Sequence, residues 1–380
     1  MRYLSIDALP LLFEGGISNY TRPLVESVLI HANSRWHVEL LFRLSISRSH
    51  RQLYTRYLGE LALQKQIQKT TSHKVTYLPD RLLMKIWERG ISFPLLKAKD
   101  RKDAVLATTE MVPEKSGVNV GWIVYDLIPL RIPQYFSVDS EEFLKSTLER
   151  ARRTDFIVAI SESTKQDIVE LLHYPEEKIC VIYPGTDLAR TPSKPKIDSR
   201  VQRPYVHYRG ALSHNKNVDG MLRIFARCVH EHGLDIDIIF SGKDFCGKTY
   251  WTQMIRDLDI AGRVHFAGWV TREELENLLI NATMLWQFSW YEGFGLPVLE
   301  AASRGIPVLY TNRGAVPEIL QNPEQEIDPS DEEQAAARAA AALKSPEILK
   351  RWKILGLSRA TKFSWDKSAQ GLLSWLENHL

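Results

Sequence analysis

The sequence predicts an α/β protein made of two Rossmann-like domains that face each other across a cleft. The length of 380 residues exceeds the usual size of one domain. Apolar runs of strand length alternate with helix-like segments, which is typical of parallel sheets with helices on both faces. A stretch with four prolines between residues 184 and 204 interrupts this alternation, which then starts again.

The first half contains a series of predicted strands. The run MRYLSIDAL is the first strand, and GISNYTRPLVESVLIHAN is the helix after it. Further strands are predicted in HVELLFRL, DAVLATT, NVGWIVYDL and DFIVAISE. These elements define an N-terminal Rossmann-like domain over residues 1–188, and the domain boundary is placed near residues 188–203.

The second half repeats the pattern. Strands are predicted in YVHYRG, DIDIIFSG, RVHFAGWV, TMLWQFS and IPVLYTN, and QAAARAAAALKS is a predicted alanine-rich helix. Residues 204–362 form the predicted second domain, and residues 363–380 a terminal helix that packs back toward the first. In open parallel sheets ligands bind beyond the carboxyl ends of the strands, so the cleft is the expected ligand site.

Composition excludes several classes of protein. The hydrophobic fraction of 44% and the charged fraction of 25% are those of a globular protein. No apolar run approaches the length of a membrane span, and the first residues lack the pattern of a signal peptide, so a soluble cytoplasmic protein is expected. Three cysteines without CxxC spacing fit reduced structural thiols better than a disulfide framework or a zinc site.

A basic segment lies in the first half. Residues 43–102 hold 14 Lys and Arg against 4 Asp and Glu, a local balance of +10, and Arg48 and Arg51 lie near its start. Such a segment suits an anionic acceptor, a phospholipid surface or nucleic acid. The alternative is a set of solvated helical faces. No RNA-binding signature supports the nucleic-acid alternative.

The segment FSWYEGFGLPVLEA combines the features of an anion and sugar site. Gly293 and Gly295 follow a buried strand and let the backbone approach a ligand closely. A helix then begins at Leu296, and the unpaired N–H groups at a helix start attract anions. A diphosphate repels a carboxylate, so Glu292 is expected to accept hydrogen bonds from sugar hydroxyls and Glu300 to reach a ribose. The alternative is an exposed turn before an ordinary helix.

Two other loops carry weaker signals. In YRGALSHNKN, Arg209 and Lys216 flank Gly210 after a strand, where cations would neutralise a leaving diphosphate. A solvated helix start is the alternative. In EGGISNYTRPLV, Gly15 and Gly16 precede a predicted helix whose start would face the cleft, or form a simple turn.

Ser161 and Glu162 lie between a predicted strand and a predicted helix in AISESTKQDI. They either cap that helix, with Ser161 paired to Thr164, or contact an acceptor.

These segments together resemble the retaining GT-B glycosyltransferases of family 4. The resemblance runs from about residue 3 to 320 and rests on GGISNYTR, YDLIPL, AISESTKQDI, RGALSHNKN, the glycine of FSGKD, RVHFAGWV and SWYEGFGLPVLEA. The phrases DLIPL, G-x-L-x-x-x-KN and EGFGLPVLEA resemble bacterial enzymes that add mannose or a related hexose during surface-polysaccharide assembly.

The resemblance implies a GDP- or UDP-sugar donor bound by the second domain, without a metal ion or other cofactor, and a glycan or polyprenyl-diphosphate-linked glycan as acceptor. Glu292 would bind the donor sugar, Glu300 the ribose, and Arg209 and Lys216 the departing diphosphate. The implied donor site further comprises Gly15, Gly16, Gly210, Gly242, Gly268, Trp269, Val270, Gly293, Phe294, Gly295 and Leu296. The implied acceptor contacts are Ser161, Glu162, Arg48 and Arg51. Retention would follow from front-face attack, in which the leaving phosphate takes the acceptor proton.

The sequence departs from the family pattern at two places. Tyr125 precedes Asp126 where the family often has a histidine that contacts the donor sugar. The resemblance implies that Tyr125 is catalytic and donates a hydrogen bond to that sugar, although tyrosine carries no positive charge at neutral pH. Asp126 is either a further catalytic residue or a structural one. Ala211 stands where an arginine commonly follows Gly210. Both departures favour the alternative of a catalytically silent, sugar-nucleotide-binding partner subunit. A nucleotide-sugar epimerase would need an acid–base cluster that the sequence does not reveal. A cytoplasmic enzyme, peripheral at the inner face of the membrane, is the expected setting.

Overall fold

The computed structural model describes residues 2–13, 15–32, 35–44, 48–63, 71–77, 103–113, 117–186 and 203–380, without the side chains of residues 48, 62 and 63. The chain forms two compact units. The first comprises Met1–Leu127, Ser140–Gly185 and Ser364–Leu380. The second comprises Ile128–Asp139 and Thr186–Phe363.

The first unit is built on a parallel sheet. Its described strands are β1 (Arg2–Asp7), β2 (Trp36–Arg43), β3 (Thr71–Thr76), β4 (Ala104–Ala107), β5 (Asn119–Val124), β6 (Phe156–Ala159) and β7 (Ile179–Val181). They are ordered β3-β2-β1-β4-β5-β6-β7, and in the centre Leu4 lies opposite Val38 and Ala104. All residues of β4 and β6 are buried, as expected where helices cover both faces of a sheet.

Helices account for most of the remaining described residues. In chain order they are α1 (Ser18–His31), α2 (Arg48–Leu63), α3 (Ile128–Arg131), α4 (Ser140–Arg152), α5 (Glu162–Leu172), α6 (Val218–His230), α7 (Lys248–Asp257), α8 (Arg272–Ile280), α9 (Leu296–Ser303), α10 (Val316–Leu320), α11 (Glu332–Leu343), α12 (Pro346–Ala360) and α13 (Trp365–His379). The last of these packs on α1 within the first unit, where the Ser27 hydroxyl donates to Asp366 Oδ1 at 3.0 Å.

The second unit repeats the architecture. Its described strands are β8 (Tyr205–Arg209), β9 (Asp237–Ser241), β10 (Val264–Gly268), β11 (Met284–Gln287), β12 (Val308–Thr311) and β13 (Glu326–Ile327). All pairs are parallel, and the order is β10-β9-β8-β11-β12-β13. The core beneath the sheet is rich in aromatic residues, with Phe225, Phe240, Trp251 and Trp286 almost fully buried.

This architecture confirms the prediction of two Rossmann-like α/β halves with parallel sheets. Every strand predicted from an apolar run is present. The strands β3, β7 and β13 were not predicted, because each lies at a sheet edge and is either polar or no more than three residues long.

The division of the chain differs from the predicted one. Residues 128–139, assigned from sequence to the first domain, cluster with the second unit, where the Tyr135 ring stacks on Trp290 at 5.9 Å. Phe363 also belongs to the second unit and packs against Phe294, so the terminal segment of the first unit begins at Ser364. Most of the predicted boundary at residues 188–203 lies outside the described residues.

Candidate active site

The strand order of the second unit places a candidate ligand crevice between β8 and β11. These strands are neighbours, and the chain winds outward from them in opposite directions. In open parallel sheets the loops that leave the two strands at such a reversal diverge and open a crevice for ligands. Lys216 lies in the loop after β8, and Glu292 lies in the loop after β11.

The structure brings Lys216 and Glu292 together as an ion pair. Glu292 Oε1 accepts hydrogen bonds from Lys216 Nζ at 2.8 Å, Gln287 Nε2 at 2.8 Å and Ser289 Oγ at 2.7 Å. The Glu292 side chain is only 12% exposed. Three donors on one oxygen hold the carboxylate in a single orientation.

Hydrogen bonds to backbone carbonyls hold the loop after β11 against the loop after β8 on one side and against Ala315 on the other. The buried Asn217 side chain donates from Nδ2 to the Phe288 carbonyl at 3.1 Å. The Trp290 N–H donates to the Asn215 carbonyl at 3.2 Å. On the other side, the Ala315 N–H donates to the Glu292 carbonyl at 3.0 Å. The loop that carries Glu292 is therefore fixed on both sides.

Three glycines end the strands β8, β9 and β10. The Gly210 N–H donates to the Ser241 carbonyl at 3.0 Å, and the Gly242 N–H donates to the Gly268 carbonyl at 2.9 Å. A Cβ atom on Gly242 would overlap the Gly210 carbonyl, so this close approach requires glycine. Beyond them Trp269 is 74% exposed. Val270 is half-buried.

The segment after Glu292 forms the predicted helix start. Gly295 has a φ of 103° and precedes α9, whose first turn contains Pro297. The backbone at Gly293 and Gly295 is buried in the unit, as is the Phe294 side chain, which packs against Phe363. Phe294 therefore has only its backbone N–H and carbonyl groups with which to contact a sugar nucleotide.

Arg209 and Glu300 form an ion pair with each other. The sequence analysis gave them separate partners, the diphosphate for Arg209 and a ribose for Glu300. Burial, together with the charge of Arg304, lowers the pKa of Arg209 to about 10, so the guanidinium remains charged at neutral pH. A ligand that binds Arg209 or Glu300 therefore either shares this ion pair or replaces it.

The first unit contains the other predicted site residues. Gly15 and Gly16 have positive φ angles and lie before α1. The Tyr125 hydroxyl lies 2.6 Å from Thr21 Oγ1 and donates to the Thr108 carbonyl at 2.9 Å, so it is already engaged within the unit. Burial raises the pKa of Tyr125, which keeps this hydroxyl protonated.

Asp126 is partly exposed just beyond β5. Ser161 is fully buried and caps α5, because its Oγ accepts the Thr164 N–H at 3.0 Å. Glu162, in the first turn of that helix, is exposed.

A polar cluster in the first unit was not predicted. Asp7 and Arg43 form a buried ion pair of 2.9 Å between the ends of β1 and β2. Thr109, just beyond β4, donates to Asp7 Oδ2 at 2.8 Å. Asp7 and Arg43 also line a small opening together with Met111, which has room for little more than a water molecule. The only signal in the sequence was a polar residue at the end of each apolar run.

The basic segment is described only in part. Arg51 is exposed on α2, the side chain of Arg48 is not described, and residues 64–70 and 78–102 lie outside the described residues. In the part of the chain that the structure describes, no helix combines the length and the apolar character needed to cross a bilayer. No group of three or more His, Cys, Asp or Glu side chains suits a metal ion in the same residues.

Comparison with known proteins gives two family matches and several relatives. Residues 69–190 match the model described as Glycosyltransferase Family 4, and residues 189–356 match that described as Glycosyl transferases group 1. O-antigen chain mannosyltransferase B of Escherichia coli is 26% identical over 251 residues, which is 64% of this chain and 66% of that protein. MMP alpha-(1->4)-mannosyltransferase of Mycolicibacterium hassiacum is 28% identical over 232 residues, 60% of this chain and 55% of that protein.

Solved structures share the whole fold. Anabaena HepE in complex with UDP superposes with a TM-score of 0.70 at 16% identity and covers 100% of both chains. Sucrose-phosphate synthase from Thermosynechococcus elongatus gives a TM-score of 0.67 at 14% identity, covering 100% of this chain and 99% of the other. The two sheets are thus those of the GT-B fold. With family models matched in succession over residues 69–356, the chain belongs to the glycosyltransferases, with a family 4 amino-terminal part and a group 1 carboxyl-terminal part.

Proposed function

We propose that the protein is a retaining hexosyltransferase that moves a mannose- or glucose-like sugar from a GDP- or UDP-sugar to a saccharide or lipid-linked saccharide during polysaccharide biosynthesis. The observation that carries the proposal is the Lys216–Glu292 pair at the crevice of the second sheet, fixed by the contacts of Asn217 and Trp290. The names of the relatives support a mannosyl donor, and HepE was crystallised with UDP.

The donor would occupy the carboxyl edge of the second sheet. Glu292 Oε2 accepts hydrogen bonds from the sugar hydroxyls, while Oε1 stays with Lys216, Gln287 and Ser289. The N–H groups at the start of α9 and the Lys216 ammonium face the diphosphate. Glu300 turns to the ribose, which releases Arg209 for the phosphate. The backbone at Gly268, Trp269 and Val270 lines the base.

The reaction needs positioning and electrostatic stabilisation. The bond between the anomeric carbon and the diphosphate oxygen breaks, and the acceptor hydroxyl forms its new bond on the same face of the sugar. The leaving phosphate takes the acceptor proton, so no protein base is required. Lys216 stabilises the charge that accumulates on the diphosphate as it departs. No metal ion takes part in this proposal.

A donor panel tests the proposal. Purified protein is heated with UDP- and GDP-sugars, and the matching donor raises the melting temperature because it binds only the folded state. Slow hydrolysis of that donor without acceptor, in the presence of EDTA, distinguishes an enzyme from a silent binding subunit. With acceptor, the anomeric proton coupling of the product reports retention. A melting temperature unmoved by every donor contradicts the proposal.

We also propose peripheral contact with an anionic membrane through α2. Phe13 and Ile17 are 38% and 41% exposed, and the Phe13 ring lies 5.5 Å from that of His50 on α2. Exposed apolar side chains beside arginines favour a lipid surface. Arg51→Glu is expected to weaken sedimentation with anionic vesicles, whereas Arg256→Glu on α7 leaves it unchanged. Equal binding by both variants contradicts this contact.

A further inference from the structure

Four side chains of the second unit form a cluster that the proposed mechanism does not use. His214 lies in the short 3-10 helix His214–Lys216, and Asp219 lies in the first turn of α6. Cys246 precedes α7, which carries Tyr250. The cluster combines a nucleophile, a base and an acid, and it is accessible, with His214 exposed and Cys246 half-buried.

The geometry gives His214 the orientation of a general base. Its Nδ1 lies 2.9 Å from Asp219 Oδ2, and its Nε2 lies 3.6 Å from Cys246 Sγ. The Asp219 carboxylate can only accept, so it selects the tautomer with a proton on Nδ1. The lone pair on Nε2 then faces the thiol. This is the arrangement of nucleophile, base and orienting acid that activates weak nucleophiles.

Neighbouring contacts fix the acid and the nucleophile. The Tyr250 hydroxyl donates to the other carboxylate oxygen of Asp219, and its ring meets the His214 ring edge-on at 5.5 Å. Asp244 Oδ1 accepts the N–H groups of Cys246 and Gly247 at 3.0 and 2.9 Å. The loop therefore cannot carry the Cys246 thiol away from His214 without breaking these bonds.

We propose that Cys246 is a modification site at which disulfides of low-molecular-weight thiols exchange with the thiol, with His214 as the base. The Cys246 S–H proton passes to His214 Nε2 as the sulfur attacks one sulfur of the disulfide. The disulfide S–S bond breaks, a new S–S bond forms to Cys246, and the departing thiolate takes the proton from His214. One thiol and one disulfide react to give a new thiol and a new disulfide, so no further oxidant is needed.

The base is required because the thiol does not ionise readily by itself. Burial raises the pKa of Cys246, and the negative charges of Asp219 and Asp244 raise it further. A thiolate is thus scarce at neutral pH, and the exchange rate depends on proton transfer to His214 rather than on spontaneous ionisation.

The modification has a consequence for donor binding, which rests on the proposed function. His214 and Lys216 belong to the same helical turn, and Lys216 holds Glu292. An adduct on Cys246 Sγ occupies the space between the thiol and the imidazole and displaces this turn. The Lys216 ammonium then leaves the position in which it pairs with Glu292, and affinity for a nucleoside diphosphate falls.

The first experiment measures exchange with oxidised glutathione on the full chain, with the modified cysteine identified by peptide mass spectrometry. His214→Asn is expected to slow modification of Cys246 about tenfold or more, as loss of a general base does. Gln253→Ala, on the exposed face of α7 and outside the cluster, is the control and is expected to react at the wild-type rate. If His214 only shields the thiol, His214→Asn reacts as fast as wild type or faster, and this outcome overturns the proposal.

The second experiment compares binding of UDP and GDP before and after modification. Affinity for the nucleotide that binds is expected to fall about tenfold in the modified protein and to recover with dithiothreitol, while Cys246→Ser shows no change. Unchanged affinity in fully modified protein overturns the link to Lys216. If neither nucleotide binds the unmodified protein, the proposed function fails, and the exchange rates still decide the modification site.

Discussion

Glu292 directs one carboxylate oxygen at three donors, and only one of them, Lys216, is charged. Glu292→Gln preserves the shape of the side chain but removes its charge. Turnover is expected to fall about 10²–10³-fold, as it does when a preorganised electrostatic contact is lost. The melting temperature is expected to change by no more than a few degrees.

The control for this substitution is Glu333→Gln on the exposed face of α11. Initial rates with saturating donor and acceptor, measured beside thermal unfolding, provide the readout. Wild-type turnover in Glu292→Gln would remove Glu292 from the candidate site.

His207 is a buried residue of β8 whose ionisation is coupled to folding. Burial, with a contribution from Arg209, lowers its pKa from 6.5 to about 3. The unfolded chain takes up a proton near pH 6.5 and the folded chain only near pH 3, so the folded state loses stability as pH falls between these values. The loss reaches about 1.4 kcal/mol per pH unit.

The variant His207→Gln lacks this titration. The difference in unfolding free energy between wild type and variant is therefore expected to change with pH below 6.5 and to stay constant above it. Hydrogen exchange of the β8 amides at several pH values measures the difference. Parallel profiles for the two proteins would contradict the assignment.

At the scale of elements, the Asn217 side chain is one of the contacts that hold the loop after β8 to the loop after β11. Asn217 has a φ of 54°, and its amide donates to the Phe288 carbonyl. Asn217→Gly keeps the backbone conformation and removes the amide contact. We expect the turn to loosen, with KM for the donor rising severalfold, because Lys216 no longer meets Glu292 in a fixed position.

His173→Gly is the matched control. His173 also has a left-handed backbone, with a φ of 51°, and it is exposed at the end of α5. The substitution is expected to leave KM unchanged and stability equal or slightly improved. Equal KM values in both variants would show that the Asn217 contact does not position the site.

Gly314 precedes Ala315, whose N–H donates to the Glu292 carbonyl and so fixes the loop that carries Glu292 on its other side. The φ of Gly314 is 66°, and an added Cβ would overlap the backbone of Glu292. Gly233 has a similar φ of 64°, with no atom within 4 Å of an added Cβ. Both Ala variants suffer backbone strain of order 1–2 kcal/mol, whereas only Gly314→Ala also displaces Glu292. We therefore expect turnover to fall in Gly314→Ala alone, and equal turnover in the two variants would contradict this.

The elements and the site were predictable to different degrees. Apolar runs such as DFIVAISE and TMLWQFS identified buried central strands, since burial on both faces leaves a continuous apolar pattern. The edge strand β3, TSHKVT, has no such pattern, because it is mostly only partly buried and five of its six residues are polar. A strand can therefore be recognised from its own residues only where burial on both faces requires those residues to be apolar.

The same limit applies within the site. Glu292, Gly295 and the helix start stand in one motif and were visible together. The pairing of Arg209 with Glu300 depends on how the strands are ordered. The donors Gln287 and Ser289 lie within five residues of Glu292, but their contacts depend on the conformation of the loop after β11. Tyr125 shows the converse case, since its hydroxyl was predicted to face a sugar and is engaged by Thr21 and Thr108.

At the scale of the whole molecule, the last helix of the chain is a core element of the first unit. Leu376 on α13 is fully buried, and Glu377 accepts a hydrogen bond from Trp36 Nε1 at 3.2 Å. Leu376→Ala is expected to cost about 2–5 kcal/mol, the range for a large-to-small change in a core. Hydrogen exchange should accelerate in β1 to β7 and remain unchanged in β8 to β13.

Leu357→Ala on α12 is the control, because that side chain is 39% exposed and belongs to the second unit. Little change in exchange is expected there. Acceleration spread equally over both sheets in Leu376→Ala would mean that the two units do not unfold separately.

The chain passes between the units at four places, near residues 127, 139, 185 and 363. A chimera of two related enzymes that is joined only once, within the proline-rich stretch, would therefore take residues 128–139 from one parent and the rest of the second unit from the other. Trp290, two residues before Glu292, would then meet a foreign ring in place of Tyr135. A chimera intended to change donor specificity should carry this short insert together with residues 186–363.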